Sequence, residues 1–355
     1  MNILDRYIAR AVINGALASL FIFSALFIFI DFVAQLDSVG THHYGLTQAL
    51  WFVLLSTPQR LYELSPSAIL LGGLISLGAM AANSELVAMR AAGVTISRII
   101  RSVLQAGIPL VIVVVILGEV VAPKTTPAAN ALRAVSLEKN VLAGNKNGFW
   151  AKDGDRYINV RELMPNMRLN DIYVYQLNGD RQLVKSTYAN QASYIDGYWV
   201  LSKVSHSEFN DGDITTSTST VEKWERLVEP ALFDVLQMKP ANMSAEKLHQ
   251  YSAYIEENEL DASSYQLAFW VKIFTPLTCL AMLLIAMPIV LTTKPRSGGT
   301  GQRIMIGLLL GIGYFVINRA ISHLGIVYGM MPFLSAFIPL LLVVSLSVVM
   351  LRRIN

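Results

Sequence analysis

The chain has 355 residues, of which 54% are hydrophobic and 15% charged, with a formal net charge of +3. A mean hydropathy of +0.48 puts it outside the range of ordinary water-soluble domains, and the small, scattered basic excess offers no stripe for nucleic acid. The single cysteine, Cys279, lies in an apolar run and excludes both a disulfide framework and a cysteine-based metal site.

Arg6 and Arg10 precede an uncharged run, 11–30. It superficially resembles a signal peptide, but at about 20 residues it is roughly twice as long as such a segment and long enough to cross a bilayer. It is expected to be a retained first span. Five more spans are expected at 66–82, 102–122, 273–291, 304–322 and 333–351. Segment 49–55, "ALWFVLL", ends at Pro58 and is too short to span. As an interfacial or re-entrant helix it leaves the topology unchanged; as a true span it reverses everything downstream. With six spans, Arg6, Arg10, Arg90, Arg98, Arg101, Lys294, Arg296, Arg303, Arg352 and Arg353 all fall on one side, which the positive-inside rule makes the cytoplasm, together with both termini.

Segment 84–93, "SELVAMRAAG", sits between the second and third spans. Ser84 suits an N-cap, Glu85 in the first turn complements the helix dipole, and Gly93 can end the helix. Leu86, Met89 and Gly93 fall on one side, with Val87 and Arg90 close by. Two readings stand: a plug for a partner protein, or a loop helix packed on the spans.

From Pro123 to about Ser264 the composition turns polar, as expected of a water-soluble domain on the side opposite the basic loops. "RYINV" (156–160), "DIYVYQL" (171–177) and "SYIDGYWVLSKV" (193–204) read as strands, the last with a hairpin at Asp196-Gly197. Short strands at near-regular spacing suggest a β-sandwich or open barrel. "DIYVYQL" is apolar on both faces, which fits burial in a two-sheet core or a groove for a greasy ligand. "TTSTST" (215–220) suits an exposed polar strand or loop, and 244–259 reads as a charged surface helix.

No Gly-Lys pair exists to make a Walker A loop, and "RSGGTGQR" (296–303) reads as a flexible turn. The zinc helix His-Glu-x-x-His and the nucleophile elbow Gly-x-Ser-x-Gly are also missing, and His42, His43, His206, His249 and His323 lack ligand spacing. The chain is therefore read as a transporter without its own nucleotide site, cofactor or catalytic residues. A charge at the bilayer centre costs about 2.5–3.5 kcal/mol on insertion scales, so intramembrane charges need partners or a cavity. Asp31, Glu63, Glu119, Lys272, Arg319 and His323 fall at one depth toward the outer face, with Arg60, Lys124 and Arg133 just beyond. They form either mutual ion pairs, such as Glu119 with Lys272 or Arg319, or a ring at the mouth of an apolar cavity that meets lipid headgroup phosphates. A proton-coupled carrier using Glu119 or Asp31 predicts inverted repeats, which the sequence lacks; a membrane-anchored scaffold needs one span and no charged ring.

"LDRYI" (4–8), "SELVAMRAAG", "GEVVAP" (118–123), "FWAKDG" (149–154), "YQLAFWVKIFTPL" (265–277) and "VYGMMP" (327–332) follow one another in an order that resembles the lipopolysaccharide-export permeases LptF and LptG across the whole chain. "LDRYI" and "FWAKDG" lean to the LptG branch. The resemblance implies a membrane α+β fold in three parts: 1–122 with spans one to three and a coupling helix at 84–93, 123–264 as a periplasmic β-jellyroll, and 265–355 with spans four to six. It implies a permease of the Gram-negative inner membrane that extracts lipopolysaccharide and passes it to a periplasmic bridge. Its partners would be a sister permease (LptF-like), a bitopic bridge protein (LptC-like) and a cytoplasmic ABC ATPase homodimer (LptB-like) that hydrolyses the ATP. By resemblance, Ser84, Glu85, Leu86, Met89 and Arg90 couple to the ATPase. The charged ring makes Arg60, Lys124, Arg133 and Arg319 the candidates to bind lipid phosphates; the resemblance puts gates on spans one and five, with Phe27, Asp31, Lys272 and Ile317 the candidates for the cavity or its gates. The chain departs from the family at Asp31, where a Lys can stand, at Arg60, displaced from the position after Pro58, and at Arg319, where an acid or amide is expected.

Overall fold

A computed structural model describes residues 3–137, 148–164, 168–179, 182–195, 197–210, 213–225, 227, 239–257, 261–292 and 300–353. Among them six helices are long and apolar enough to cross a membrane. These are α1 (Ile3–Leu36), α2 (Leu46–Ala82), α4 (Ile96–Ile116, prolonged below), α7 (Ser263–Thr292), α8 (Thr300–Val327) and α9 (Pro332–Arg352). Two shorter helices are α3 (Glu85–Ala91) and α6 (Ala245–Glu257).

Segment 49–55 turns out to be the opening turns of α2, neither a separate interfacial helix nor an additional span. Prolines end most helices because they lack an N–H for the carbonyl four residues back. At Pro66 the orphaned carbonyl belongs to Tyr62, and the Ser65 hydroxyl donates to it at 2.8 Å. Thirty-seven residues rise about 55 Å, beyond the ~30 Å hydrocarbon thickness, so α2 crosses once and projects past the bilayer.

The third span also outruns its expected end at Ala122. After α4 a π-helical turn, Leu117–Val121, leads into α5 (Ala122–Leu137), so the polar segment begins as helix rather than strand. The π turn places Gly118 against the Tyr62 ring, where a Cβ would come within 2.3 Å of Cε2. Any side chain at Gly118 would push spans two and three apart.

The chain divides into two compact units: 1–34 with 53–126 and 240–355, and 35–52 with 127–239. In the first, the core runs through α2, α4, α7 and α9, with Leu74, Val103, Leu283 and Leu340 among its buried side chains. Span one meets span two at Gly15 and Gly72, where a Cβ on Gly72 would lie 2.4 Å from Ala16 Cα, so only glycine permits that crossing. Gly307 and Gly311 bring α8 close to α2, against the Leu74 and Ser67 side chains, and the Ser67 hydroxyl donates to the Gly311 carbonyl at 3.0 Å. Spans one and five are nevertheless the least covered: 11% of their most apolar window is buried, against 67% in spans two and four.

The second unit is built on one antiparallel sheet of β1 (Phe149–Asp153), β2 (Arg156–Met164), β3 (Arg168–Leu177), β4 (Leu183–Ile195), β5 (Tyr198–Asn210) and β6 (Asp213–Trp224), each strand paired with its sequence neighbour. The expected β domain is thus present, and "TTSTST" is strand. The β4–β5 hairpin closes Ile195 against Tyr198 with Gly197 at φ 87°; Asp196 lies outside the described residues. Asp171 and Lys203 adopt left-handed backbone, φ 52° and 51°, and the ladders skip both. Such kinks shift side-chain alternation by one residue. Leu169 and Ile172, three apart on β3, and Leu201 and Val204 on β5, are consequently all buried.

This resolves the doubly apolar "DIYVYQL". Ile172 and Val174 are buried, whereas Tyr173 and Tyr175 are partly exposed in an aromatic ladder, Tyr173 against Tyr188 at 5.0 Å and Tyr175 against Trp150 at 6.0 Å. On β4 to β6 a polar chain locks the edge. Thr187 Oγ1 lies 2.9 Å from His206 Nδ1, His206 Nε2 donates to Glu222 Oε1 at 2.7 Å, and Trp224 Nε1 donates to Glu222 Oε2 at 3.0 Å. Burial pushes the Glu222 carboxyl up, but the hydrogen bonds from His206 and Trp224 outweigh it and hold the group below its ordinary value.

Candidate functional site

The expected loop helix is α3. Ser84 precedes it with φ 61° and makes no side-chain capping bond, contrary to the N-cap expectation. In that conformation its hydroxyl does not reach the N2 and N3 amides, so Ser84 contributes only its carbonyl, to Ala88 N–H at 2.9 Å. At the other end Gly93, φ 88°, completes a Schellman turn: Gly93 N–H donates to the Arg90 carbonyl and Val94 N–H to the Met89 carbonyl, both at 3.0 Å.

The two faces of α3 differ in kind. Leu86 is 3% exposed and Met89 packs against the same core, so both residues anchor the helix to the spans. Val87 is 56% exposed and Ala88, Arg90 and Ala91 are exposed with it. The free surface is therefore a small apolar patch bordered by a cation. Glu85 faces sideways and accepts a hydrogen bond from the Tyr7 hydroxyl at 2.9 Å. Sequence spacing put Leu86 and Met89 beside Val87 but held no signal for Tyr7, 78 residues away.

The cavity and gate candidates occupy several places. Phe27 helps line an apolar pocket of about 300 Å³ between α1, α2 and α8, with Leu26, Leu64, Leu71, Leu308, Ile312 and Phe315. Arg60 and Glu63 stand at one end of it. Asp31 pairs with Arg60, Nε to Oδ2 at 3.3 Å, and Glu63 approaches the same guanidinium at 4.0 Å. Arg319 is exposed on α8, its guanidinium 5.7 Å from the Phe315 ring centroid. Counting from the Ser67–Gly311 contact, Arg60 and Arg319 both lie roughly 10–12 Å further along antiparallel helices, at one level. Ile317 is exposed beside Arg319, and Lys124 is exposed on α5.

Lys272 and Arg133 are placed differently. The Lys272 side chain is 3% exposed, donates to the Gly118 carbonyl at 2.6 Å and to Glu119 Oε1 at 3.1 Å, and lies over the Tyr62 ring. Glu119 also accepts the Ala245 N–H at 2.7 Å and so caps α6. This is the ion pair anticipated for Glu119, joining spans three and four, and it leaves Lys272 away from the pocket lining. Arg133 belongs to the second unit, 5.2 Å from the Phe52 ring centroid. Among the described residues no three His, Cys, Asp or Glu side chains converge as metal ligands. The first half of "RSGGTGQR", 296–299, and Lys294 before it lie outside the described residues.

A family model described as "Lipopolysaccharide export system permease LptF/LptG" matches residues 6–353. The chain is 35% identical over 355 residues to the lipopolysaccharide export system permease protein LptG of Haemophilus influenzae, with 99% of each chain covered. It is 33% identical over 341 residues to the protein of the same name from Escherichia coli K12, covering 95% of this chain and 94% of that one.

Proposed function

Since the chain belongs to the LptF/LptG family of lipopolysaccharide export system permeases and is a multi-pass inner-membrane protein, we propose that it extracts lipopolysaccharide from that membrane using ATP hydrolysed in a partner subunit. The observation that carries the ATP coupling is the two-faced α3: Leu86 and Met89 fix it to the spans while Val87, Ala88 and Arg90 stand free. A rigid helix with an exposed apolar patch is suited to a groove in a cytoplasmic ABC ATPase dimer. Glu85 borders that patch.

The basic loops support a topology with both termini cytoplasmic and the β domain periplasmic. The scant burial of spans one and five is what a permease needs if it completes its lipid cavity with a sister permease and a bridge-protein helix. In this reading Phe27 and its neighbours meet acyl chains, while Arg60 and Arg319, at the outer level of the pocket, meet phosphates. Lys124, exposed on α5, and Arg133, in the second unit, are separate candidate phosphate contacts. Asp31 then gates Arg60 by holding it until lipid arrives, and Ile317 faces the neighbouring permease.

The test is co-purification from a Gram-negative host with mass-spectrometric identification of bound proteins and lipids. An ABC ATPase, a second six-span permease and lipopolysaccharide are expected together, with the ATPase lost on Glu85→Lys. A chain that purifies without an ATPase under mild extraction overturns the proposal.

A further inference from the structure

Up to Ala34, full burial along span one is confined to its first half. Ile8, Ala9, Val12, Ala16, Ser19 and Leu20 are buried, whereas no residue from Phe21 to Ala34 is. Within the buried half the helix presses backbone to backbone on span two at Gly15 and Gly72. No proline interrupts α1, so a push at one end is carried to the other.

Its first turn is gripped on the side of the loop helix. The Tyr7 hydroxyl donates to Glu85 Oε2 at 2.9 Å, and Asp5 accepts from the Ser102 hydroxyl at 2.8 Å with Arg98 Nε at 3.7 Å. At the far end Asp31 is held to Arg60 on span two. One helix thus carries an input contact, a glycine crossing and an ionic latch in that order along its length.

We propose that Tyr7 is a positioning residue that makes span one a lever driven by α3, pivoting on the Gly15–Gly72 crossing and opening or closing the Asp31–Arg60 latch beside the apolar pocket. From Tyr7 to Gly15 is about 12 Å along the axis and from Gly15 to Asp31 about 24 Å, so a displacement of the input end is roughly doubled at the latch. A shift of about 1 Å in α3 becomes about 2 Å at the outer end, enough to break a hydrogen-bonded ion pair. The lever rests on the proposed role of α3 as the coupling helix. It adds that the force reaches the lipid pocket within this chain through one phenol–carboxylate bond.

The experiment uses the whole complex in nanodiscs, with spin labels on cysteines replacing exposed Phe29 and Val316, and the buried Cys279 left in place. The distance between the labels is read by pulsed electron resonance with and without a non-hydrolysable ATP analogue. Tyr7→Phe keeps the ring and removes the bond. The nucleotide-dependent shift is expected to fall by half or more in Tyr7→Phe, with ATPase binding intact. A full shift in Tyr7→Phe, or no shift in the parent complex, overturns the lever while leaving the coupling role standing. Failure of the parent chain to hold the ATPase overturns the proposed function instead.

Discussion

Removing the Glu119 carboxylate strands Lys272. The lysine Nζ retains the Gly118 carbonyl at 2.6 Å and the face of Tyr62, but its counter-charge is gone, and at 3% side-chain exposure it has almost no access to solvent. Removing one partner of a buried pair costs about 3–5 kcal/mol. Glu119 is 30% exposed and one acceptor survives, which places Glu119→Ala near the low end, about 3 kcal/mol. Loss of the bond to Ala245 N–H adds about 1 kcal/mol. Lys272→Met removes the cation and fills the same volume with apolar atoms, while Glu119 still caps α6, so its cost is expected to be below about 1 kcal/mol. Reversible unfolding in mixed micelles, followed by tryptophan fluorescence, measures both variants and their combination. Lys272→Met in the Glu119→Ala background should recover about 2 kcal/mol. Equal costs for the two single variants, or a cost under about 1 kcal/mol for Glu119→Ala, would refute the ion-pair reasoning.

The two faces of α3 should separate stability from binding: Leu86→Ala is expected to cost about 2–4 kcal/mol in the same unfolding assay, whereas Val87→Glu leaves unfolding unchanged and abolishes ATPase capture in a pull-down. Gly72→Val places a side chain against the Ala16 backbone, where even a Cβ comes to 2.4 Å, so thermal unfolding should fall sharply and disulfide trapping across the Gly15–Gly72 crossing should fail. In the sheet, Glu222 and Glu208 are both held below the ordinary value of 4.5, Glu208 chiefly by its hydrogen bond from Lys185. A carboxyl with a depressed folded pKa adds stability above its unfolded value and loses it as pH falls through the folded one. Hydrogen exchange of β4–β6 amides, corrected for intrinsic rates, should accelerate below pH 4.5, and Glu222→Gln should flatten that dependence.

The spans were legible because apolar runs and basic flanks report transfer free energies directly, and the 196–197 hairpin because a two-residue turn has few sequence solutions. The continuity of α2 was not, since Pro58 and Pro66 read as breakers and only the Ser65–Tyr62 contact shows how the helix survives. The extension of the third span beyond Ala122 was hidden by polar composition, although Gly118 and Glu119 marked an irregular point. For the candidate site, charge placement foretold the Glu119–Lys272 pair but also put Lys272 in the lipid cavity, because depth is readable from sequence and rotation about the helix axis is not. Leu86 and Met89 were given to the ATPase contact by the resemblance, whereas the spacing left both faces of the helix open and the structure turns these two toward the spans. The Gly307-x-x-x-Gly311 spacing was available as a helix-packing signal and locates the α2–α8 contact that borders the pocket.

ATP-driven release of lipopolysaccharide from proteoliposomes is the most direct test of the permease assignment. The chain is reconstituted with the ATPase and sister permease that co-purify with it, and lipid transfer to a soluble periplasmic acceptor is followed by photocrosslinking. Transfer should require ATP and be lost in Val87→Glu with the complex's membrane part still assembled. Transfer at the same rate without ATP, or without this chain, would contradict it.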